Sequence, residues 1–318
     1  MTFSAGSNTL ASDYNSLTGG ADITSAFGSD AAATAKAAAL WGVGYGSRGY
    51  GQTTPSIPPV SAGGVIYASQ WANLRTILSN MASFQGTSQA TLPAASKFVA
   101  GAAIDDADGT AMSALLSTLD SNRLSTNGGA SMTYTTNALN VTRGSTWGTS
   151  NSSIATTVQI NFASEDATRY FFNSGGQLRF TLTHPNTSTS QDSNWNSALN
   201  SIGLIAFTAW GFYLAGSTYS SFTYYNLTTA FQTLYSAVIG TGAYSANTLT
   251  IKARSVAIAG ANGAKGNQLQ FQFTLTDAHT NANYDIVQAG TNLSCGHLRA
   301  TSVLTGINAP TFQTIAAF

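Results

Sequence analysis

Glutamate occurs once in this chain, at Glu165, and Asp, Glu, Lys and Arg together make up only 8% of its 318 residues. An ordinary soluble domain carries roughly 25%. Ser, Thr, Asn, Gln, Ala and Gly stand where Lys and Glu usually do. So little charge would fit a disordered chain, but such chains are also poor in apolar and aromatic residues. This one is 43% hydrophobic and 11% aromatic, which excludes that reading. Twelve basic residues balance twelve acidic ones, so there is no basic footprint for nucleic acid. Long apolar runs are missing too. The longest, from Ile202 to Gly216, is interrupted by Thr208 and Gly211 and is too short to span a bilayer. No basic segment leads into an apolar one at the N-terminus, so no secretory signal is expected. Cys295 is the single cysteine, which rules out an internal disulfide framework and a thiolate metal cluster. These absences fit synthesis in a reducing cytoplasm.

Protein–protein interfaces are depleted in Lys and Glu and enriched in aromatics. A monomer with no net charge is also poorly soluble. The composition therefore reads as that of an assembly subunit, much of whose surface is covered by neighbours.

An internal echo is present. Ser4-Ala5-Gly6 precedes Leu10-Ala11-Ser12-Asp13-Tyr14-Asn15-Ser16-Leu17. Ser61-Ala62-Gly63 precedes Tyr67-Ala68-Ser69-Gln70-Trp71-Ala72-Asn73-Leu74, offset by 57 residues throughout. In each copy an aromatic and a leucine lie three apart, on one face of a predicted helix. The duplicated element spans 4–17 and 61–74, and each copy is expected to make an equivalent contact. Asp30 is a plausible N-cap for an Ala-rich helix running to Trp41. A stretch of five glycines between Gly42 and Gly51 follows, interleaved with Tyr45, Arg48 and Tyr50. Helices are predicted over 68–84, with Trp71, Leu74, Ile77, Leu78 and Met81 as an apolar stripe, and over 110–122, with Met112, Leu115, Leu116 and Leu119. Residues 1–124 thus read as a helical docking region.

At Ser125-Thr126-Asn127-Gly128-Gly129 the texture changes to alternating Thr, Val, Tyr and Phe with turn residues between runs. Strands are predicted over 131–141, 154–162, 177–183, 204–210, 218–225, 248–258, 269–276 and 285–289. A long hairpin is expected around Asn262-Gly263. Two short helices, 194–202 and 227–238, are expected to interrupt the strands. The fold class is α+β, a helical N-terminal region followed by an antiparallel β-sandwich over 125–318 with two short helices.

Three segments together resemble a family of bacteriophage virion structural proteins of the cyanophage type. The first is Gly44-Tyr45-Gly46-Ser47-Arg48-Gly49-Tyr50-Gly51-Gln52, followed by Ser61-Ala62-Gly63 and Ala68-Ser69-Gln70-Trp71-Ala72-Asn73-Leu74-Arg75. The second is Arg169-Tyr170-Phe171-Phe172-Asn173-Ser174-Gly175-Gly176-Gln177-Leu178-Arg179. The third runs from Tyr225-Asn226-Leu227 to Phe273-Thr274-Leu275-Thr276-Asp277. The resemblance implies a component of the particle (tail, neck, fibre or shell), located in the virion and assembled in the host cytoplasm. It brings no catalytic residues.

Candidate chemistry reads as structural. Asp105-Asp106-Ala107-Asp108-Gly109 has the look of a calcium loop but lacks the closing glutamate, and helix N-terminal carboxylates explain it. His184, His279 and His297 have no metal-ligand spacing. Cys295 lies two residues before His297, a spacing read as a buried thiol beside a structural histidine. Glu165 and Asp166 are adjacent in sequence, so their side chains diverge if the segment is extended and do not face each other across a glycosidase cleft; they are read as capping the turn before Arg169. The glycine-tyrosine stretch is open to two readings, a segment inserted into a neighbour or a loop covering the chain's own core.

The expectation is a non-enzymatic particle subunit without cofactor or metal. It would contact itself, as a trimer or hexamer, and other virion proteins, but neither nucleic acid nor membrane. Candidate interface residues are Tyr14, Tyr45, Arg48, Tyr50, Trp71 and Arg75. Replacing Trp71 with Ala is expected to impair incorporation more than folding. The alternative is a receptor-binding appendage that recognises a host surface glycan. Its candidates are Trp147, Trp195, Trp210 and the Tyr219, Phe222, Tyr224 and Tyr225 cluster, with burial of these aromatics the preferred explanation.

Overall fold

The structure, a computed structural model, describes residues 11–18, 36–125, 132–148, 152–279, 286–301 and 306–318. Ser4 to Gly6 of the echo, and Asp30, lie outside these residues.

Among the described residues, four α-helices precede residue 125: α1 (Ala11–Thr18), α2 (Ala37–Trp41), α3 (Ala68–Gln85) and α4 (Asp106–Ser121). The stripe of α3 is buried as its spacing predicts, and it packs against α4, whose Met112, Leu115, Leu116 and Leu119 are buried as well. Each such side chain contributes about 1.5–3 kcal/mol. The Gln70 side-chain oxygen starts α3 by accepting the Tyr67 N–H at 2.8 Å. Gly86 ends the helix in the left-handed region at φ 71°. Helix α4 begins four residues before the predicted start. Asp105 accepts the Asp108 N–H (3.0 Å), and Asp108 accepts the Asp105 N–H in return (3.2 Å). The acidic run is this cap.

Among the described residues, eleven strands follow, in two antiparallel sheets. They are β1 (Met132–Thr142), β2 (Ser152–Asn161), β3 (Gln177–Thr183), β4 (Leu204–Phe207), β5 (Phe212–Leu214), β6 (Ser217–Ser220), β7 (Gln232–Val238), β8 (Thr248–Ser255), β9 (Gln268–Asp277), β10 (Asn292–Ala300) and β11 (Thr311–Ala316). One sheet runs β1-β10-β3-β4-β5-β6 and the other β11-β2-β9-β8-β7. Period-two alternation sends Leu178, Phe180 and Leu182 of β3 inward. There Phe180 meets Phe271 and Phe273 of the opposite sheet at 4.8 and 5.2 Å. Helix α5 (Glu165–Asn173) carries the chain from β2 of one sheet to β3 of the other, and helix α6 (Ser190–Ile202) connects the neighbouring strands β3 and β4 of the six-stranded sheet. The α+β class and the sandwich of antiparallel sheets are what the strand patterning predicts.

Some elements differ from expectation. The 227–238 segment is not a helix: residues 227–231 are irregular, and Gln232–Val238 form the edge strand β7. The spacing of Phe231, Leu234 and Val238 suits a helix, but pairing with β8 decides. Leu234 is buried while Val238 is 57% exposed, so no common face exists. Glu165 and Asp166 are not extended. They form the first turn of α5, capped by Ser164, which accepts the Ala167 N–H at 3.0 Å. The 204–210 strand stops at Phe207, because the Thr208 hydroxyl accepts the N–H groups of Trp210 and Gly211 in a tight turn. The 218–225 strand stops at Ser220, and a single 3₁₀ turn covers Tyr224–Asn226. The hairpin around Asn262 is present as β8 paired with β9. Within 285–289, residue 285 lies outside the described residues, and Val287 pairs with Trp147 as a lone bridge.

Candidate functional site

The glycine-tyrosine stretch lies against the chain's own helix α5. Arg169 of that helix is fully buried. One terminal nitrogen donates to the carbonyls of Gly46 (3.1 Å) and Arg48 (3.0 Å), and the other to the carbonyl of Val43 (2.8 Å). Asp166 balances the charge at 2.8 Å. One turn further along, the Asn173 side-chain amide donates to the carbonyls of Gly46 and Gly49. The Tyr225 hydroxyl donates to Gly46 as well, at 2.8 Å. Gly46 returns its own N–H to the Asn262 carbonyl. Gly51 sits at φ 69°, and a Cβ there would lie 2.2 Å from the Tyr170 ring, so only glycine lets the loop close on the helix. The two segments 44–52 and 169–179 are therefore the two halves of one clasp joining the helical region to the sandwich.

The six candidate interface residues are placed largely inside. Tyr14 and Trp71, from the two copies of the echo, are both buried and pack edge to face at 5.3 Å. Burial pushes the Tyr14 phenol up to about 12. Asn15 locks the pair by bonding both the N–H and the carbonyl of Val60. The echo thus makes one internal contact between its copies. Tyr50 is buried between Trp41 and Phe84, donates its hydroxyl to the Arg123 carbonyl at 2.6 Å and accepts from Gln85 at 2.8 Å. Arg48 is ion-paired with Asp120 at 2.7 Å. Arg75 is half-buried and donates to the Pro93 carbonyl. Tyr45 is half-buried against Gly263. Tyr14, Tyr50 and Trp71 offer no surface to a partner, because aromatic residues anchor a chain's own core by the same packing with which they anchor a neighbour. Trp71→Ala is accordingly expected to act on folding first.

The titratable groups sit in structural settings. Lys97 lies 3.3 Å from both Asp105 and Asp108. No group of three or more His, Cys, Asp or Glu residues suited to a metal occurs among the described residues. A hydroxyl–imidazole–carboxylate line escaped the sequence reading. His184 Nδ1 is 3.1 Å from the Thr291 hydroxyl, and Nε2 is 2.9 Å from Asp192. Its members are 8 and 107 residues apart, so spacing carries no signal. All three are sealed from solvent, and the line ties β3, α6 and the start of β10 together. Burial pushes the Asp192 carboxyl up, but hydrogen bonds from the Gln288 N–H, His184, Ser188 and Thr189 outweigh it and hold it below the usual range. Cys295 and His297 lie on β10, both buried. Burial pushes the thiol up to about 12. Burial, helped by the Arg299 charge, pushes the imidazole down to about 4. Thiol and imidazole are both neutral at pH 7, the wrong states for an activated nucleophile.

The exposed surface includes the sheet edges. The four edge strands β1, β6, β7 and β11 contain no charged residue and no proline. In β1, seven of eleven residues are exposed and only Val141 is buried, and β11 is exposed except at half-buried Phe312. These two strands pack beside one another at the same flank of the sandwich. Monomeric proteins usually protect such edges with Lys, Pro or bulges. Here the bulges are present, between Thr135 and Leu139 of β1 and between Thr314 and Ala316 of β11, while charge and proline are absent. Of the aromatics suited to sugar, Trp147 and Trp195 are buried against each other at 5.1 Å and Tyr224 is buried against Phe172. Trp210, Phe222 and Tyr225 are half-buried, and Tyr219 is exposed.

Compared with known proteins, the chain matches no family model, no curated protein and no solved structure.

Proposed function

We propose that this chain is a non-enzymatic structural subunit of a bacteriophage particle that acts by packing against copies of itself and other virion proteins. The bacteriophage part of this reading rests on the resemblance carried by residues 44–52 and 169–179. The assembly part rests on one observation, the uncharged, proline-free flank formed by β1 and β11. Exposed strand edges carry unpaired backbone N–H and C=O groups, which a neighbouring chain satisfies by adding strand to strand. Thr, Asn and Gln side chains on such a flank are covered without the desolvation cost of a buried Lys or Glu. The 8% charge of the whole chain extends the same logic to its other surfaces.

Sedimentation equilibrium of the purified chain at micromolar concentration tests this reading. A defined oligomer, trimer or hexamer, is expected. A monomer that stays monomeric up to about 100 μM, well above the concentrations at which obligate interfaces form, would overturn it.

A further inference from the structure

On the outward face of the six-stranded sheet, Arg179 of β3 stands in register between Gly296 of β10 and Ala206 of β4. Ala206 in turn faces Tyr213 of β5. The small neighbours leave the space beside Arg179 unfilled, and Trp210 from the β4–β5 turn completes a recess of about 250 Å³. Gly211 belongs to this construction, since a Cβ there would lie 3.2 Å from the Tyr213 ring. The guanidinium is held in place from two sides. Its Nε donates to Gln177 at 2.9 Å, and its carbon lies 4.6 Å from the centre of the Tyr134 ring. The two terminal nitrogens have no acceptor among the described residues. Arg48 and Arg169, by contrast, are both paired with aspartates.

We infer that this recess binds a sugar unit bearing a carboxylate, such as a uronic or sialic acid residue of a surface polysaccharide. The carboxylate would take the two terminal nitrogens of Arg179 as a bidentate pair, a geometry that a planar guanidinium fits and an ammonium does not. Trp210 and Tyr213 supply apolar ring surface for the sugar's own apolar face, and their polar tips tolerate water. The volume lies below the roughly 300–1,000 Å³ of drug-sized pockets, which suits one ring and excludes a folded peptide. Tyr134 preorganises the arginine without occupying the site. The recess lies on a sheet face rather than on the β1–β11 edges, so this inference stands or falls separately from assembly.

Saturation-transfer NMR and calorimetric titration with D-glucuronate and N-acetylneuraminate test it, with D-glucose and acetate as controls. Saturation transfer from the protein to both acidic sugars is expected, with D-glucose and acetate each binding more weakly by roughly tenfold. Arg179→Met keeps the aliphatic stem and loses the Gln177 bond and the guanidinium contact with Tyr134, both at the surface of the sheet. It should weaken the acidic sugars by roughly tenfold or more while leaving the circular dichroism and the melting curve in place. Trp210→Ala should weaken binding as well. Absence of binding by either acid, equal binding of glucose, equal binding of acetate, or full retention by Arg179→Met would each overturn the inference.

Discussion

The clasp and the open flank are built from opposite materials. At the clasp, 44–52 against α5, a fully buried arginine, an asparagine and a tyrosine hydroxyl converge on backbone carbonyls. A buried charge is tolerable only when paired and hydrogen-bonded throughout, and here Asp166 and three carbonyls meet that condition. Strands β1 and β11 carry no charged residue, and their side chains are mostly Thr, Asn, Gln and Ala. The residue types that mark hot spots between proteins, Tyr, Trp and Arg, are used inside the chain. The residues left for a partner are those with little individual signature. A surface meant to be covered by strand addition needs only unpaired backbone and side chains cheap to desolvate.

The largest expected effect comes from breaking the interior side of that comparison. Trp71 is 2% exposed and packed on Tyr14. Trp71→Ala should lower stability by about 3–5 kcal/mol, seen as a lower midpoint in a urea titration. A variant of near-wild-type stability that fails to assemble would return Trp71 to the interface side. Arg169→Met should cost a similar amount, about 3–4 kcal/mol, because Asp166 loses its ion-pair partner, the carbonyls of Val43 and Arg48 lose their donor, and Gly46 keeps only Asn173 and Tyr225. Limited proteolysis should then cut first within 42–52, where the loop is released from α5. Uniform loss of both regions would mean that the clasp does not hold the helical part in place.

These two sites also show what a sequence can reveal. The stripe of α3, the alternation of β3 and the β8–β9 hairpin were legible because burial on one side imposes a period on the residues themselves. Strand β7 was not, since its three apolar residues fit a helical period and only the neighbour β8 chose otherwise. Helix α5 was hidden by Thr168, Tyr170, Phe171 and Phe172, types that favour strands, while the demands of Arg169 are set by a loop 121 residues away. Edge strand β11 lacked any buried alternation to betray it. Of the candidate residues, types were recognised but direction was not, because inward and outward aromatics look alike in one dimension. Arg179 and Ala206 could not be linked at all, since their juxtaposition is a matter of strand register.

A pH effect sharpens the comparison from beneath the flank. His297 of β10 is stacked on Phe312 of β11, ring centres 6.0 Å apart, and neither ring nitrogen has a hydrogen-bond partner among the described residues. Its folded pKa is about 4 against 6.5 for the free side chain. Between those values the unfolded chain binds a proton that the folded chain refuses, so stability is full above pH 6.5 and is lost as the pH falls towards 4. The loss is on the order of 3 kcal/mol, and His297→Phe should flatten that part of the stability–pH curve while keeping the stack. The same slope in His297→Phe as in the wild type would assign the effect to other groups.

The smallest effect on stability should accompany the largest effect on assembly. Thr314 and Ile315 lie on β11, exposed and without a core to serve, so Thr314→Lys and Ile315→Lys should each shift stability by less than about 0.5 kcal/mol. A lysine on an edge opposes strand addition because its ammonium must be buried or displaced. In sedimentation the paired variant should therefore dissociate to monomer at concentrations where the wild type remains assembled, with an unchanged melting curve. If it assembles as the wild type does, the β11 edge is not the contact, and β7, the other edge of that sheet, becomes the strand to charge. Loss of assembly together with loss of stability would mean instead that β11 holds the fold, and that its exposed face is a consequence of its position at the edge rather than a surface kept for a neighbour.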